Sequence, residues 1–150
     1  MVDENLTDPL SKYPDIVSVD VQWGDQDAFG HVNNTVYLRW FEIGRISYVA
    51  KLGLSHDKTK PTPAPILAAV TCNFLRQVTF PDRIQVATRV VRVGNRSMAM
   101  EHVVLSETHG VLVAEGTSTV VNFDYRAGQS CPLSDELRAK IAEVEATRSL

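Results

Sequence analysis

Gly24–Arg45 reads GDQDAFGHVNNTVYLRWFEIGR, and it splits into a polar loop and an apolar helix. Gly24 to Val32 is rich in Gly and Asp, the residues that dominate turns. From about Asn34 to Leu52 the apolar residues recur at helical spacing, with Tyr37, Trp40, Phe41, Tyr48 and Leu52 on one side. Val36, Leu38, Ile43, Ile46 and Val49 occupy the other faces, and a helix apolar nearly all round belongs inside a core. Asn33 or Asn34 can cap its start, because an Asn side chain accepts a bond from a free first-turn N–H. Lys51 in the last turn and Gly53 just beyond suit its end.

The elements on either side are strands. Upstream, Val17, Val19, Val21 and Trp23 alternate with Ser18, Asp20 and Gln22, the period of a half-buried strand that starts near Ile16. Residues 1–15 are polar, carry Pro9 and Pro14, and read as an extension that is mobile at its tip. The domain proper is expected over 16–150. Downstream, Pro61, Pro63 and Pro65 interrupt the chain, and strands follow over Ile66–Arg76, from Ile84 to near Val93, over Ser97–Glu107 and over Val111–Asp124. Gly94-Asn95 suits a tight hairpin turn, and Thr108-His109-Gly110 turns again. Met98, Met100, His102 and Val104 should share one face of their strand. After Pro132, Ser134 can cap a last helix with Leu137, Ile141 and Val144 as its stripe. Short turns between strands imply antiparallel pairing. One antiparallel sheet curling round one apolar helix satisfies both patterns, an α+β architecture. Such a sheet has open edges, which a second copy of the chain can cover.

The totals set bounds. With 150 residues, 44% hydrophobic and 22% charged, the chain is one ordinary globular domain able to bury a core. A formal net charge of −3 argues against broad nucleic-acid binding, which needs a basic face. Cys72 sits in an apolar run and Cys131 before Pro132; two lone cysteines make no disulfide framework and favour a reducing compartment. No secretory signal opens the chain and no run is apolar enough to span a bilayer, so no membrane role and a cytoplasmic location are expected.

Chemistry concentrates in the loop. Asp25 and Asp27 lie just before a helix N-terminus, whose unpaired N–H groups attract developing negative charge. A carboxylate beside such donors can act as nucleophile or general base in acyl transfer. On spacing alone, the simpler reading is that both aspartates shape the loop. A calcium loop is excluded by Phe29 at its fifth position and Val36 at its twelfth, where an acidic ligand is needed. There is no Walker loop, GxSxG elbow or HExxH. His31, His56, His102 and His109 show no metal-ligand spacing, so no metal is expected.

The same segment closely resembles the signature of the 4-hydroxybenzoyl-CoA thioesterase-like branch of the hotdog superfamily, D-x-D-x-x-G-H-V-N-N-x-x-Y followed by E-x-x-R on a helix. The matching positions are Asp25, Asp27, Gly30, His31, Val32, Asn33, Asn34, Tyr37, Glu42 and Arg45. The likeness continues through NFLRQVTFPDRI, Gly94-Asn95-Arg96-Ser97 and VLVAEGTSTVV, and covers roughly residues 16–141. It implies a hotdog fold, a curved antiparallel sheet wrapped around one long central helix. It also implies an acyl-CoA thioesterase that releases a free acid and coenzyme A, with no cofactor beyond the coenzyme A of the substrate. Asp27 would then be the catalytic carboxylate, attacking the thioester carbonyl or activating water. N–H groups near Asn33 and Asn34 would polarise the carbonyl oxygen, and Gly30 would let the backbone approach. Plant acyl-carrier-protein thioesterases have a similar string in which the histidine matters, making His31 a second candidate, beside a role as a loop residue bonded to backbone. Tyr37, Trp40 and Phe41 read as core, and Glu42 and Arg45 as a helix pair.

Coenzyme A carries phosphates, which arginine suits. Arg83, Arg89, Arg92 and Arg96 cluster along one hairpin, where related enzymes use basic residues and a serine on the nucleotide end. That implicates Arg96 and Ser97, and after them Asn95, with a solvated strand face as the alternative for all four arginines and an ion pair for Arg76. The rival functions are an acyl-carrier-protein thioesterase and a non-catalytic acyl-CoA binder. A homodimer or homotetramer is expected from the open edges and from the family.

Overall fold

The structure is a computed structural model and describes residues 8–54 and 63–147. The expected mobile tip and the break at Pro61 lie outside these residues. The opening alternation forms β1 (Asp15–Asp20), with Val17 and Val19 against the core and Ile16, Ser18 and Asp20 exposed. The strand does not continue to Trp23. Instead Trp23–Asp25 makes one 3-10 turn, because the Asp25 carboxylate accepts the Gln22 N–H at 2.8 Å and the Asp25 N–H returns to the Gln22 carbonyl at 3.0 Å. Trp23 is left exposed. At the other end, Leu10 is buried against Ala87 and Val103, so packing reaches upstream of the boundary read from composition.

The central helix is α1 (Asn34–Lys51), capped by Asn33, whose side chain accepts the Thr35 N–H at 3.0 Å. Val36, Tyr37, Trp40, Phe41, Tyr48 and Val49 are buried, but burial is not all round as expected: Thr35, Arg39, Glu42, Ile46 and Ala50 form an exposed stripe, because the sheet covers the helix from one side. At its end the Lys51 ammonium lies 2.9 Å from the buried Asp15 carboxylate and ties the helix to β1. The remaining strands are β2 (Ala64–Phe74), β3 (Arg83–Val93), β4 (Ser97–Ser106), β5 (Val111–Asp124) and β6 (Gln129–Ser130). Pairing is antiparallel in the order β1-β3-β4-β5-β2, with β6 on β5. Since β1 and β2 flank α1 in sequence yet sit at opposite edges, α1 crosses the sheet between them. This is the expected curved antiparallel sheet wrapped around one helix. No helix among the described residues is long and apolar enough to cross a membrane.

The close seat of α1 explains a glycine. A Cβ on Gly116 would lie 2.1 Å from the Thr71 carbonyl oxygen on β2 and 2.5 Å from Phe41 on α1. Neither backbone nor a packed ring yields cheaply, so Gly116→Ala is expected to cost about 1–3 kcal/mol, read as a lower urea midpoint.

Met98, Met100, His102 and Val104 share the buried face of β4 as their alternation predicts. His102 stacks on Phe41 at 4.9 Å between ring centres. Its Nδ1 lies 3.0 Å from Thr88 Oγ1 and its Nε2 2.8 Å from Ser118 Oγ, and Ser118 also accepts from Arg45 at 3.0 Å. The expected Glu42–Arg45 pair is therefore absent among the described residues, because Arg45 turns inward to Ser118 while Glu42 stays exposed. Arg76 likewise has no ion pair there; its carbonyl accepts the Tyr37 hydroxyl at 3.1 Å.

The last helix, α2 (Asp135–Glu145), starts at Ser134, which accepts the Leu137 N–H at 3.1 Å. Ile141 and Val144 bury against Tyr48, Met98 and Met100, forming a second apolar cluster beyond the one around Trp40 and Phe41. The Glu145 carboxylate accepts the Tyr48 hydroxyl at 2.5 Å and the Val90 N–H at 3.1 Å, locking α2 to helix and sheet.

Candidate active site

The loop ahead of α1 is a small hairpin. Gln26 bridges Val32, the Asp27 N–H donates to the His31 carbonyl at 2.8 Å, and the Gly30 N–H donates to the Asp27 carbonyl at 3.1 Å. Gly30 closes the turn at φ +82°, a conformation that side chains resist. The hairpin is tied down on one side by Val32 N–H to the Val78 carbonyl, 2.8 Å, and by Gln26 Oε1, which accepts from Phe80 N–H at 3.3 Å.

The two aspartates are distinguished here. Asp25 is structural: its carboxylate holds the Gln22 N–H, and its carbonyl accepts the Asn33 N–H at 2.9 Å. Asp27 is exposed at the hairpin tip, with Oδ1 accepting the Phe29 N–H at 2.8 Å and no described partner on Oδ2. One oxygen is thereby oriented and the other is open to a ligand.

The hairpin runs directly into the first turn of α1. The cap spends the Thr35 N–H on Asn33 Oδ1, the Val36 N–H goes to the Asn33 carbonyl, and the Asn33 N–H goes to Asp25. Asn34 is the residue in this turn whose N–H has no described acceptor. Asn33, expected as a donor, spends its N–H and its side-chain oxygen on structure. His31 is half-buried, and its ring has no described hydrogen-bond partner. Tyr37, Trp40 and Phe41 are core, as expected. Large apolar side chains stay exposed around the loop: Phe29 is 87% exposed, and Trp23 and Phe80 are also open.

The arginines of the β3–β4 hairpin divide by partner. Arg83 lies 3.7 Å from Asp20, and Arg89 bonds Glu101 through two nitrogens at 2.5 and 2.9 Å. Arg92 is exposed. Arg96 donates through Nη1 to the Ser130 carbonyl at 2.7 Å and to its hydroxyl at 3.2 Å, so the residue expected to meet phosphate is steadied by β6. Ser97 is half-buried. The turn has three residues, Gly94–Arg96, closed by Gly94 N–H to the Ser97 carbonyl at 2.7 Å. Arg138 of α2, which no sequence pattern singles out, donates to the Gly94 carbonyl at 2.7 Å and the Asn95 carbonyl at 3.2 Å. No three His, Cys, Asp or Glu side chains converge on a metal-sized site among the described residues.

Comparison with known proteins places this geometry. The family model described as the thioesterase-like superfamily matches residues 21–141. The long-chain acyl-CoA thioesterase FadM of Escherichia coli (strain K12) is 24% identical over 118 residues, which cover 79% of this chain and 89% of FadM. A thioesterase from Thermus thermophilus, solved with coenzyme A and Zn, superposes with a TM-score of 0.79 at 31% identity, covering 90% of this chain and 96% of that one. A predicted thioesterase from Bacillus stearothermophilus gives a TM-score of 0.76 at 26% identity, covering 90% and 96%. With its DQDAFGHVNN hairpin, its wrapped central helix and a family match over most of its length, the chain belongs to the thioesterase-like superfamily and has the hotdog fold.

Proposed function

We propose that this protein hydrolyses an acyl-CoA thioester to a free acid and coenzyme A, with Asp27 as the catalytic carboxylate. The observation that carries the reading is the hairpin tip: one Asp27 oxygen is fixed by Phe29 N–H and the other is open, on a loop leading into a helix end whose Asn34 N–H is unspent. A thioester carbonyl is electrophilic and thiolate leaves readily, so a carboxylate and an oriented donor suffice. Two routes share this geometry. Asp27 can attack the carbonyl carbon, expel the thiolate and form an anhydride that water cleaves, or it can take a proton from water as that water attacks. In both, charge builds on the carbonyl oxygen, and Asn34 N–H at the positive end of α1 stabilises it. His31 orients water or substrate from the hairpin, while Gly30 and Asn33 shape the wall that the thioester meets. The nucleotide end of coenzyme A lies on the β3–β4 turn, against Arg96 and Ser97. The reaction needs neither metal nor redox cofactor, and the two free cysteines suit a reducing cytoplasm.

The active species is a homodimer or a tetramer built from it. Among the described residues β2 pairs with β5 on one side only, and Ile66, Leu67, Val70 and Phe74 remain exposed on it. An open apolar edge is a template for a second copy. Val70→Lys is expected to shift the protein to monomer in size exclusion with light scattering, since an edge lysine blocks pairing.

The function is tested by thiol release from a panel of aromatic, short-chain and long-chain acyl-CoAs beside the same acyl groups on acyl-carrier protein. Preferred release from the coenzyme A esters supports the reading. Preferred release from carrier protein moves the activity to that substrate, and binding without release makes the protein a non-catalytic acyl-CoA binder.

A further inference from the structure

From the hydrogen bonds around the β3–β4 turn we infer that Arg138 is a positioning residue for the phosphate end of the substrate, acting by turning two main-chain N–H groups outward; this rests on the coenzyme A reading above. Three successive carbonyls of the turn accept bonds from elsewhere in the chain. Gly94 accepts from Arg138 at 2.7 Å, Asn95 from Leu133 N–H at 2.9 Å and Arg138 at 3.2 Å, and Arg96 from Asn122 N–H at 2.8 Å. In a trans peptide the N–H points opposite to the carbonyl. The N–H groups of Asn95 and Arg96 therefore face away from α2, and neither has an acceptor among the described residues. Two successive main-chain N–H groups without acceptors offer an anion a pair of donors. The Arg96 side chain, bonded to Ser130 through Nη1 alone, and the Ser97 hydroxyl flank it in sequence.

Arg138 is built to hold this shape. One nitrogen, Nη2, serves both turn carbonyls, and Nε donates to the Leu133 carbonyl at 3.4 Å. The helix that carries it is fixed by burial of Ile141 and Val144 and by Glu145 on Tyr48 and Val90. A guanidinium spans this fork and an ammonium does not. Arg138 therefore acts on phosphate through the backbone it orients.

The test uses the acyl group that wild type releases fastest, presented on coenzyme A and on phosphate-free pantetheine, with wild type, Arg138→Gln and Arg138→Lys. The expected result is a KM for the coenzyme A ester raised about tenfold or more in both variants, with kcat and the pantetheine-ester kcat/KM unchanged. Equal loss on both esters would make Arg138 a general structural residue, and an unchanged KM would give it no role; either overturns the inference while thioesterase activity stands. Full recovery in Arg138→Lys would assign the effect to charge and also overturn it. Calorimetric binding of coenzyme A separates the inference from the catalytic reading: tight binding by wild type that weakens about tenfold in Arg138→Gln supports it even if no thioester is cleaved. No binding of coenzyme A by wild type would overturn both.

Discussion

Asp27→Asn is expected to lower kcat for the preferred acyl-CoA by about 10²–10⁴-fold, the range for removing a positioned acid–base group. The amide keeps an oxygen that accepts the Phe29 N–H, so the hairpin and its bonds to His31 and Gly30 should persist. Stability should shift by no more than about 0.5 kcal/mol, as for an exposed position. KM should change little, because the lost interaction is made in the transition state. Asp25→Asn is the informative companion. Its carboxylate is already spent on Gln22 N–H, so it should retain most activity. Equal loss in both variants would mean that the hairpin's shape, and not a carboxylate at Asp27, drives the reaction.

The largest stability effect is expected at His102. Leucine there fills similar space but leaves Thr88 Oγ1 without its ring partner and removes one of two from Ser118 Oγ. Both hydroxyl residues are fully buried, and an orphaned buried group costs about 1–3 kcal/mol, so His102→Leu should lose about 2–4 kcal/mol near neutral pH. The effect should depend on pH. Burial, and then the charge of nearby Arg45, lower the His102 pKa from 6.5 to about 3. Between those values the unfolded chain holds a proton that the folded chain refuses. The histidine's contribution is therefore complete above pH 6.5 and is lost as the pH falls toward 3. That loss is about 1.4 kcal/mol per pH unit, and the leucine variant does not share it. Urea unfolding near neutrality and about two units lower should show the gap between wild type and variant narrowing. A constant gap would mean that His102 takes up its proton as readily in the fold as in the unfolded chain.

Features that depend on neighbours in sequence were legible. The Asn33 cap, the burial of Tyr37, Trp40, Phe41 and Tyr48 on α1, the inward face of β4 and the Ser134 cap each follow from a few consecutive residues. Alternation misled at Trp23, because the Asp25 carboxylate ends the strand by capping a turn, and period two carries no record of that bond. The loop string located the site, yet it could not separate Asp25 from Asp27. The separation comes from which carboxylate the backbone consumes. Arg45, expected to pair locally with Glu42, instead reaches Ser118, 73 residues away in sequence. Arg138 and Gly116 were silent for the same reason: their partners are set by how α2 and α1 dock on the sheet.

That Asp27 drives thioester cleavage is tested most directly by thiol release across the acyl-CoA panel, with wild type and Asp27→Asn side by side. Wild type should release thiol from at least one acyl-CoA, and the folded variant should do so at least about a hundredfold more slowly. Turnover by the variant at the wild-type rate would contradict the assignment.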